Sequence, residues 1–218
     1  MKSLMLFKTI LVLLFFFGNN SNELIAQEEG NGIPTVSGNI ETEESLKPLR
    51  IGFKIGAPSV ATLNAEYLTP LLNNRVAVAL DYFPLSATIS DVELKLNNFE
   101  FGSNVYLSDT GKGLYGGLSY YSFNADADVI DVDYDDGTFG DGSTSLKFNT
   151  INLKLGAKFG KTFYFRIELG YGFGSLPDEL VINAKDSNAS TTEPIEDISV
   201  LSASGVPLFN FGIGFAFL

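Results

Sequence analysis

Alternation with a period of two constrains this chain more than any other feature. In the segment TFYFRIELGYGFG, Thr162 to Gly174, the odd positions carry large apolar residues, and the even positions include Arg166, Glu168 and two glycines. Such alternation is typical of a β-strand whose faces meet different environments. Six further runs alternate as strictly, and 112–124 is strand-like although its faces are hard to tell apart; the six lie at 51–57, 61–67, 76–82, 99–107, 151–159 and 209–217. The sequence therefore predicts eight strands and no helix in the mature chain.

The connections between these strands fall into two groups. Those at 70–75, 108–113 and 160–161 are short and turn-like, whereas 125–145 and 176–205 are long and polar. Short connections at one end and long ones at the other are typical of an up-and-down barrel, and in outer-membrane barrels the long loops face outside. The predicted fold is all-β, an eight-stranded antiparallel up-and-down transmembrane β-barrel.

The composition of the two strand faces indicates which face is buried. One face is almost purely apolar, which suits lipid, and Leu169 is expected there. The other combines Gly, Ala and Asn with charges of both signs, as suits a narrow filled lumen in which buried charges are paired. We expect Glu168 in this lumen, paired across strands with Lys154 or Lys158. The lumen candidates are Arg50, Lys54, Glu66, Arg75, Asp81, Glu100, Lys154, Lys158, Arg166 and Glu168. A secreted soluble lipocalin-like binder is the alternative with the opposite faces buried.

The N-terminal region is predicted to lie outside the barrel domain. Lys2 and Lys8 precede the apolar run 9–17, and a polar stretch then leads to Ala26, which is the pattern of a signal peptide over 1–26. Residues 27–48 are acidic and Gly-rich and are predicted to form a flexible leader. The barrel domain is 49–218, and the expected location is the cell outer membrane after cleavage near Ala26.

Two absent residue types and the net charge restrict the function classes. The 218-residue chain contains no Cys and no His, and its formal charge is −12. Disulfides, thiolate metal sites, imidazole ligands and the Ser-His-Asp arrangement are therefore excluded. The acidic balance argues against nucleic acid as a partner. No cofactor is implied.

The architecture and the C-terminal segment VPLFNFGIGFAFL resemble the small outer-membrane β-barrel proteins of Gram-negative bacteria, the porin-like and OmpA/OmpX-like superfamily. The resemblance covers Leu49 to Leu218, and it implies insertion by the barrel-assembly machinery, which recognises a C-terminal aromatic strand. Here Phe217 is penultimate and Leu218 is terminal. Barrel enzymes of this kind rely on a catalytic His, so no enzymatic activity is predicted. Four carboxylates could supply acid–base chemistry, but structural ion pairs are the favoured interpretation; they are Glu66, Asp81, Glu100 and Glu168.

Clustered aspartates in the 125–145 connection suggest a weak Ca²⁺ or Mg²⁺ site. The candidate ligands are Asp126, Asp128, Asp131, Asp133 and Asp135. The EF-hand pattern is not met, because Asp136 and Gly142 stand where Gly and Glu are needed. A solvated acidic loop is the alternative interpretation.

The two long connections are also candidate surfaces for lipopolysaccharide or an extracellular partner. The segments ELVIN and IEDISVLSA within 176–205 are predicted to extend the last strands as a hairpin. The predicted role is structural or adhesive, or binding through the loops. The alternative is a narrow porin-like channel for ions or small solutes.

Overall fold

The computed structural model describes residues 46–89, 92–194 and 205–218. The signal peptide, the leader up to residue 45 and the segment IEDISVLSA lie outside the described residues. No helix in the described part of the chain is long and apolar enough to cross a membrane. Ten strands are present in that part: β1 Leu49–Ala57, β2 Val60–Leu68, β3 Val76–Ile89, β4 Val92–Tyr106, β5 Gly113–Asp133, β6 Phe139–Gly160, β7 Phe163–Phe173, β8 Glu179–Ala184, β9 Ser190–Pro194 and β10 Gly205–Phe217.

Eight of these strands close into a ring. Strands β1 to β7 pair with their neighbours in chain order, β10 pairs with both β1 and β7, and every pairing is antiparallel. Leu49 pairs with Phe217, so β1 begins and β10 ends at the same end of the ring. The turns 69–75, 107–112 and 161–162 lie at this end, which we call the short-turn side. This confirms the prediction of a closed antiparallel sheet of eight strands. Strands β8 and β9 form a hairpin outside the ring, attached to β6 through pairs such as Thr144 with Ile182.

The prediction of a long loop at 125–145 is wrong. Strands β5 and β6 continue through most of it, from Ala125 paired with Leu146 to Asp133 paired with Phe139, with one irregularity after Val129. The turn itself comprises only residues 134–138. Within 176–205, ELVIN forms most of β8, and its partner strand is STTEP at 190–194. The β5–β6 extension and β8 are strands because their residues still alternate, and here apolar residues such as Val129, Leu180 and Ile182 face inward.

The outward face of the ring changes character along its height. Going away from the short turns, the continuous apolar surface on β3 to β6 ends at Tyr82 paired with Phe99 and at Tyr120 paired with Ile151. All four are at least 38 % exposed. The next outward positions are Asn97, Ser122 and Asn149, and on β3 Pro84 is followed by Ser86. We call the part on the short-turn side the lower section and the part beyond these four residues the upper section, which includes the β8–β9 hairpin.

The inward face changes at the same height and in the opposite sense. The interior of the lower section is polar and charged. The interior of the upper section is a continuous apolar core, and its buried members include Leu94, Leu96, Phe123, Val129, Leu146, Phe148, Leu180, Ile182 and Val206. The Phe123 and Phe148 rings stack with centroids 4.9 Å apart.

Candidate functional site

The interior of the lower section brings nine charged side chains together. Each is at most 5 % exposed, and they come from six strands of the ring. Alternation places them inside, because each shares its parity with the buried positions of its strand. They are Arg50, Lys54, Glu66, Asp81, Glu100, Lys154, Lys158, Arg166 and Glu168. The expectation for Arg75 is wrong: it is exposed in the turn before β3, where its backbone carbonyl accepts a hydrogen bond from Tyr106.

Glu66 is the centre of the first cluster. Arg50 Nη1 lies 2.8 Å from its Oε1 and Arg166 Nη2 lies 2.6 Å from its Oε2, and Lys158 Nζ also contacts Oε1. Two neutral donors complete the shell of the carboxylate, the Tyr106 hydroxyl at 2.9 Å and the Asn104 amide at 3.0 Å. Three cations therefore share one carboxylate. Such a buried charge is stable only because so many donors replace its water.

Two further clusters fill the remainder of this interior. Lys54 bridges Asp81 and Glu168, and its Nζ lies 3.1 Å from Glu168 Oε2. Lys154 lies 2.7 Å from Glu100. Glu168 also lies 3.6 Å from Arg166. The expected partners of Glu168 were Lys154 or Lys158, but its ion pairs in the described residues are with Lys54 and Arg166. The reason is that β7 neighbours β10, whose inward Gly212 leaves space for Lys54 to reach across from β1.

Three inward tyrosines complete the network near the short turns. Lys158 Nζ lies 4.9 Å from the Tyr106 ring centroid and 5.0 Å from that of Tyr164, within the range of cation–π attraction. The Tyr115 hydroxyl donates to Glu168 at 2.6 Å. These tyrosines were not among the predicted site residues. Their parity was the available signal, since Tyr106 shares a face with Glu100 and Tyr164 with Arg166.

The predicted metal-binding aspartates are spread over the upper section. Asp126 and Asp128 lie half-buried on the outward face of β5, and Lys185 Nζ lies 3.3 Å from Asp128. Asp131, Asp133 and Asp135 are exposed near the tip of the hairpin, where Thr191 donates to Asp135 at 3.0 Å. No group of three or more acidic side chains suited to a metal ion occurs among the described residues. The divalent-cation site stays a prediction.

The tip of the β5–β6 hairpin is organised by its own hydrogen bonds. Asp136 Oδ1 accepts from the Thr138 hydroxyl at 2.6 Å and from the Thr138 backbone amide at 2.9 Å. These bonds favour the charged carboxylate and lower the pKa of Asp136 below its usual value. The carboxylate of Asp136 therefore stabilises the turn through these hydrogen bonds.

Comparisons with known proteins add little to this description. The chain matches no protein-family model and no curated protein sequence. Among solved structures, it is similar to the crystal structure of CarO from Acinetobacter baumannii, with 15 % identity and a TM-score of 0.47. The match covers 80 % of this chain and 100 % of that one. A similarity of this level supports no further conclusion.

Proposed function

We propose that this chain is an integral outer-membrane β-barrel protein whose lumen is closed by the charged network and whose upper section is displayed outside the cell. Its proposed role is structural or adhesive, or binding through the upper section. The observation that carries the proposal is the inverted polarity of the lower section, in which charges are inside and large apolar side chains are outside.

The outer face of the lower section supports a lipid environment. Leu155 is 73 % exposed, Leu169 57 % and Phe165 46 %, and they belong to a continuous apolar surface around the ring. A surface of this kind is unfavourable in water and suits acyl chains. On β10 it extends from Pro207 to Phe217, about 33 Å along the strand at 3.3 Å per residue. With a strand tilt of about 40°, this corresponds to a band about 25 Å tall, the height typical of outer-membrane barrels.

The interior contacts favour a closed lumen over the alternative of a narrow channel. In the ring, β2 and β6 lie opposite each other, with three strands between them on either side. Glu66 on β2 nevertheless contacts Lys158 on β6 directly. A side-chain ion pair that spans the ring fills the lumen at that height. A channel would need these charges to retract and line an open path.

The same interior also bears on enzymatic activity and on the soluble alternative. We propose no enzymatic activity, because Glu66 and Glu168 are occupied by cations and neutral donors and no His is available as a base. A soluble lipocalin-like binder is disfavoured, because its apolar side chains would line an internal pocket, whereas here charges fill the lower interior. The proposed partners are the lipid bilayer, the barrel-assembly machinery, and lipopolysaccharide or an extracellular molecule at the upper section.

Cell fractionation combined with heat-dependent gel mobility tests the membrane proposal. The protein should partition with outer membranes, and the unboiled sample should migrate differently from the boiled one in SDS. Recovery as a soluble protein without detergent would contradict the proposal. Recordings in planar bilayers separate the two membrane roles: we expect no steady conductance, and a stable ion-conducting state would favour the channel.

A further inference from the structure

We propose that the upper part of β3, residues 83–89, is a docking edge at which an extended, basic peptide segment pairs as an additional strand. This inference deepens the proposed function and rests on it, since it names the surface and the partner class for binding through the upper section. Pairing between β2 and β3 ends at Leu63 with Tyr82, whereas β3 and β4 remain paired up to Ile89 with Val92. Seven residues of β3 therefore have a partner strand on one side and, among the described residues, none on the other.

The register shows which backbone groups of this edge point away from β4. The Thr69 amide donates to the Val76 carbonyl oxygen, so the even positions of β3 direct their N–H and C=O groups toward the side of β2. The pairing of β3 with β4 runs without a shift, and the alternation therefore continues to Pro84, Ser86 and Thr88. Ser86 and Thr88 each present a donor and an acceptor at the open edge, whereas Pro84 presents only its carbonyl. A second extended backbone is the complement of such a row.

The inward side chains along this edge are incompletely covered. Leu94 and Leu96 on β4 are 2 % and 3 % exposed, but Ala87 and Leu85, their directly paired neighbours on β3, are only half-buried. Leu85 packs against the apolar core of the upper section. A strand added to β3 would place its own inward side chains beside Leu85 and Ala87 and complete the cover of that core. The partner should therefore carry apolar residues at alternate positions.

The charge of the upper section indicates what the outward positions of the partner should carry. Its described residues, 83–89, 92–98, 121–150 and 174–194, include 12 acidic and 3 basic ones, a formal charge of −9. The remaining described residues include 5 acidic and 9 basic ones, a formal charge of +4. Ion pairs inside the upper section leave its sum unchanged, so its surface attracts cations within a Debye length, roughly 8 Å at physiological ionic strength. Lys or Arg at the outward positions of the partner complements this charge.

The other occupants are less suited to this edge, and so is the other open strand. In the described part of the chain β9 pairs only with β8; it is short, includes Glu193 and ends in Pro194, all features that protect edge strands from pairing. The open part of β3 is longer and has no charged residue. The chain's own segment IEDISVLSAS, 195–204, contains two acidic residues and no basic one. That segment and a second copy of the upper section would both bring like charge to the edge, whereas a basic peptide brings the opposite charge.

The test uses the full mature chain folded in detergent and a fluorescently labelled eight-residue peptide of alternating Lys and Val. One control peptide alternates Glu and Val, and the other contains the same Lys and Val residues in two separate blocks. Fluorescence anisotropy at physiological ionic strength gives the affinities. We expect saturable binding of the probe and at least about tenfold weaker binding of each control, because one lacks the complementary charge and the other lacks the alternation.

Two matched proline variants locate the site. Thr88→Pro removes an amide that points to the open edge of β3 and leaves the hydrogen bonds to β4 in place. Thr192→Pro is the control: the Ala184 amide donates to the Ala189 carbonyl, so the same alternation directs the Thr192 amide to the open edge of β9. Both threonines are exposed, and heat-dependent gel mobility shows whether each variant is folded. Thr88→Pro should weaken probe binding at least about tenfold, and Thr192→Pro should leave it unchanged.

Ser86→Pro supplies the same test if Thr88→Pro does not fold. Equal binding of the two Lys–Val peptides, or equal weakening by both proline variants, would overturn the docking edge. Two further results would also overturn it by giving the edge another occupant. Probe binding that appears only after 195–204 is replaced by a Gly–Ser linker would assign the edge to the chain's own segment. A dimer that Thr88→Pro converts to a monomer would assign it to a second copy.

These outcomes are distinguishable from failure of the membrane proposal, because binding in detergent does not require insertion into the outer membrane. A protein that binds the probe but fractionates as soluble would contradict the proposed function and leave the docking edge standing. A protein that inserts but does not bind the probe would contradict the docking edge and leave the membrane proposal standing.

Discussion

The lower and upper sections share strands but have opposite interiors, and β6 shows this within ten residues. In the upper section Leu146 is fully buried and Lys147 is exposed, whereas in the lower section Lys154 is 4 % exposed and Leu155 is 73 % exposed. Even positions face inward in both pairs, so the backbone alternation is unbroken. What changes along the strand is which face carries the apolar side chains: the inner face in the upper section and the outer face in the lower section.

This difference shows that the two sections are stabilised by different interactions. In the upper section, burial of apolar side chains accounts for the packing, as in a water-soluble domain. In the lower section, burial of charge is unfavourable unless every charged group is paired. The stability of this section therefore depends on the specific geometry of the ion-pair network. Substitutions in each section can test this contrast.

Removal of the central carboxylate should have the largest effect. Glu66→Gln leaves Arg50, Lys158 and Arg166 without their shared partner, and breaking a buried ion pair costs about 3–5 kcal/mol. The control is Glu93→Gln in the upper section, whose ion pair with Lys95 is exposed to water and is expected to contribute little to stability. Urea unfolding in lipid vesicles measures both. Equal stability of the two variants would mean that the network does not hold the lower section together.

Truncation of the upper core should have the next largest effect. Leu146→Ala removes a fully buried side chain and is expected to destabilise the fold by about 2–5 kcal/mol. Its control is the neighbouring Lys147→Ala, which points outward and should change the free energy of unfolding by less than about 0.5 kcal/mol. If Lys147→Ala cost as much as Leu146→Ala, the assignment of inner and outer faces in the upper section would be reversed.

The same contrast explains how far the sequence could be interpreted. The strands with pure apolar and polar faces, such as β7, were predicted correctly because they lie within the lower section. The segment 112–124 was ambiguous because β5 crosses from one section to the other there: Leu118 and Tyr120 face outward, whereas Tyr121 and Phe123 face inward. The extension of β5 past residue 125 was missed because its aspartates suggested a loop.

Which charged side chains face the lumen could be predicted from the sequence, but which of them form ion pairs with each other could not. Parity identifies which charges face inward, and it identified Lys54 and Glu168. It does not give the registers of three or more strands, which decide that Lys54 reaches Glu168 across β10.

Charge on the outer face of the lower section should have an effect of intermediate size. Leu169→Arg places a cation near the middle of the apolar band and should cost roughly 2–4 kcal/mol in lipid. Asn149→Arg is the control, because Asn149 faces outward above the band and its substitution should be nearly neutral. Folding yield and urea unfolding in vesicles measure both changes. A Leu169→Arg protein as stable as the control would mean that the lower section does not contact lipid.

The smallest expected effect is the coupling between single members of the network. A double-mutant cycle with Lys54→Met and Glu168→Gln should give a coupling of about 0.5–3 kcal/mol, because the two groups lie 3.1 Å apart. The matched cycle with Lys154→Met should give a coupling of similar size, since Lys154 forms its ion pair with Glu100 but also attracts Glu168. Lys54 retains Asp81 when Glu168 is neutralised, which limits the loss to part of its interaction. A larger coupling for Lys154 would indicate that the lumen network in the bilayer adopts the pairing first expected from adjacent strands, with β6 and not β1 supplying the partner of Glu168.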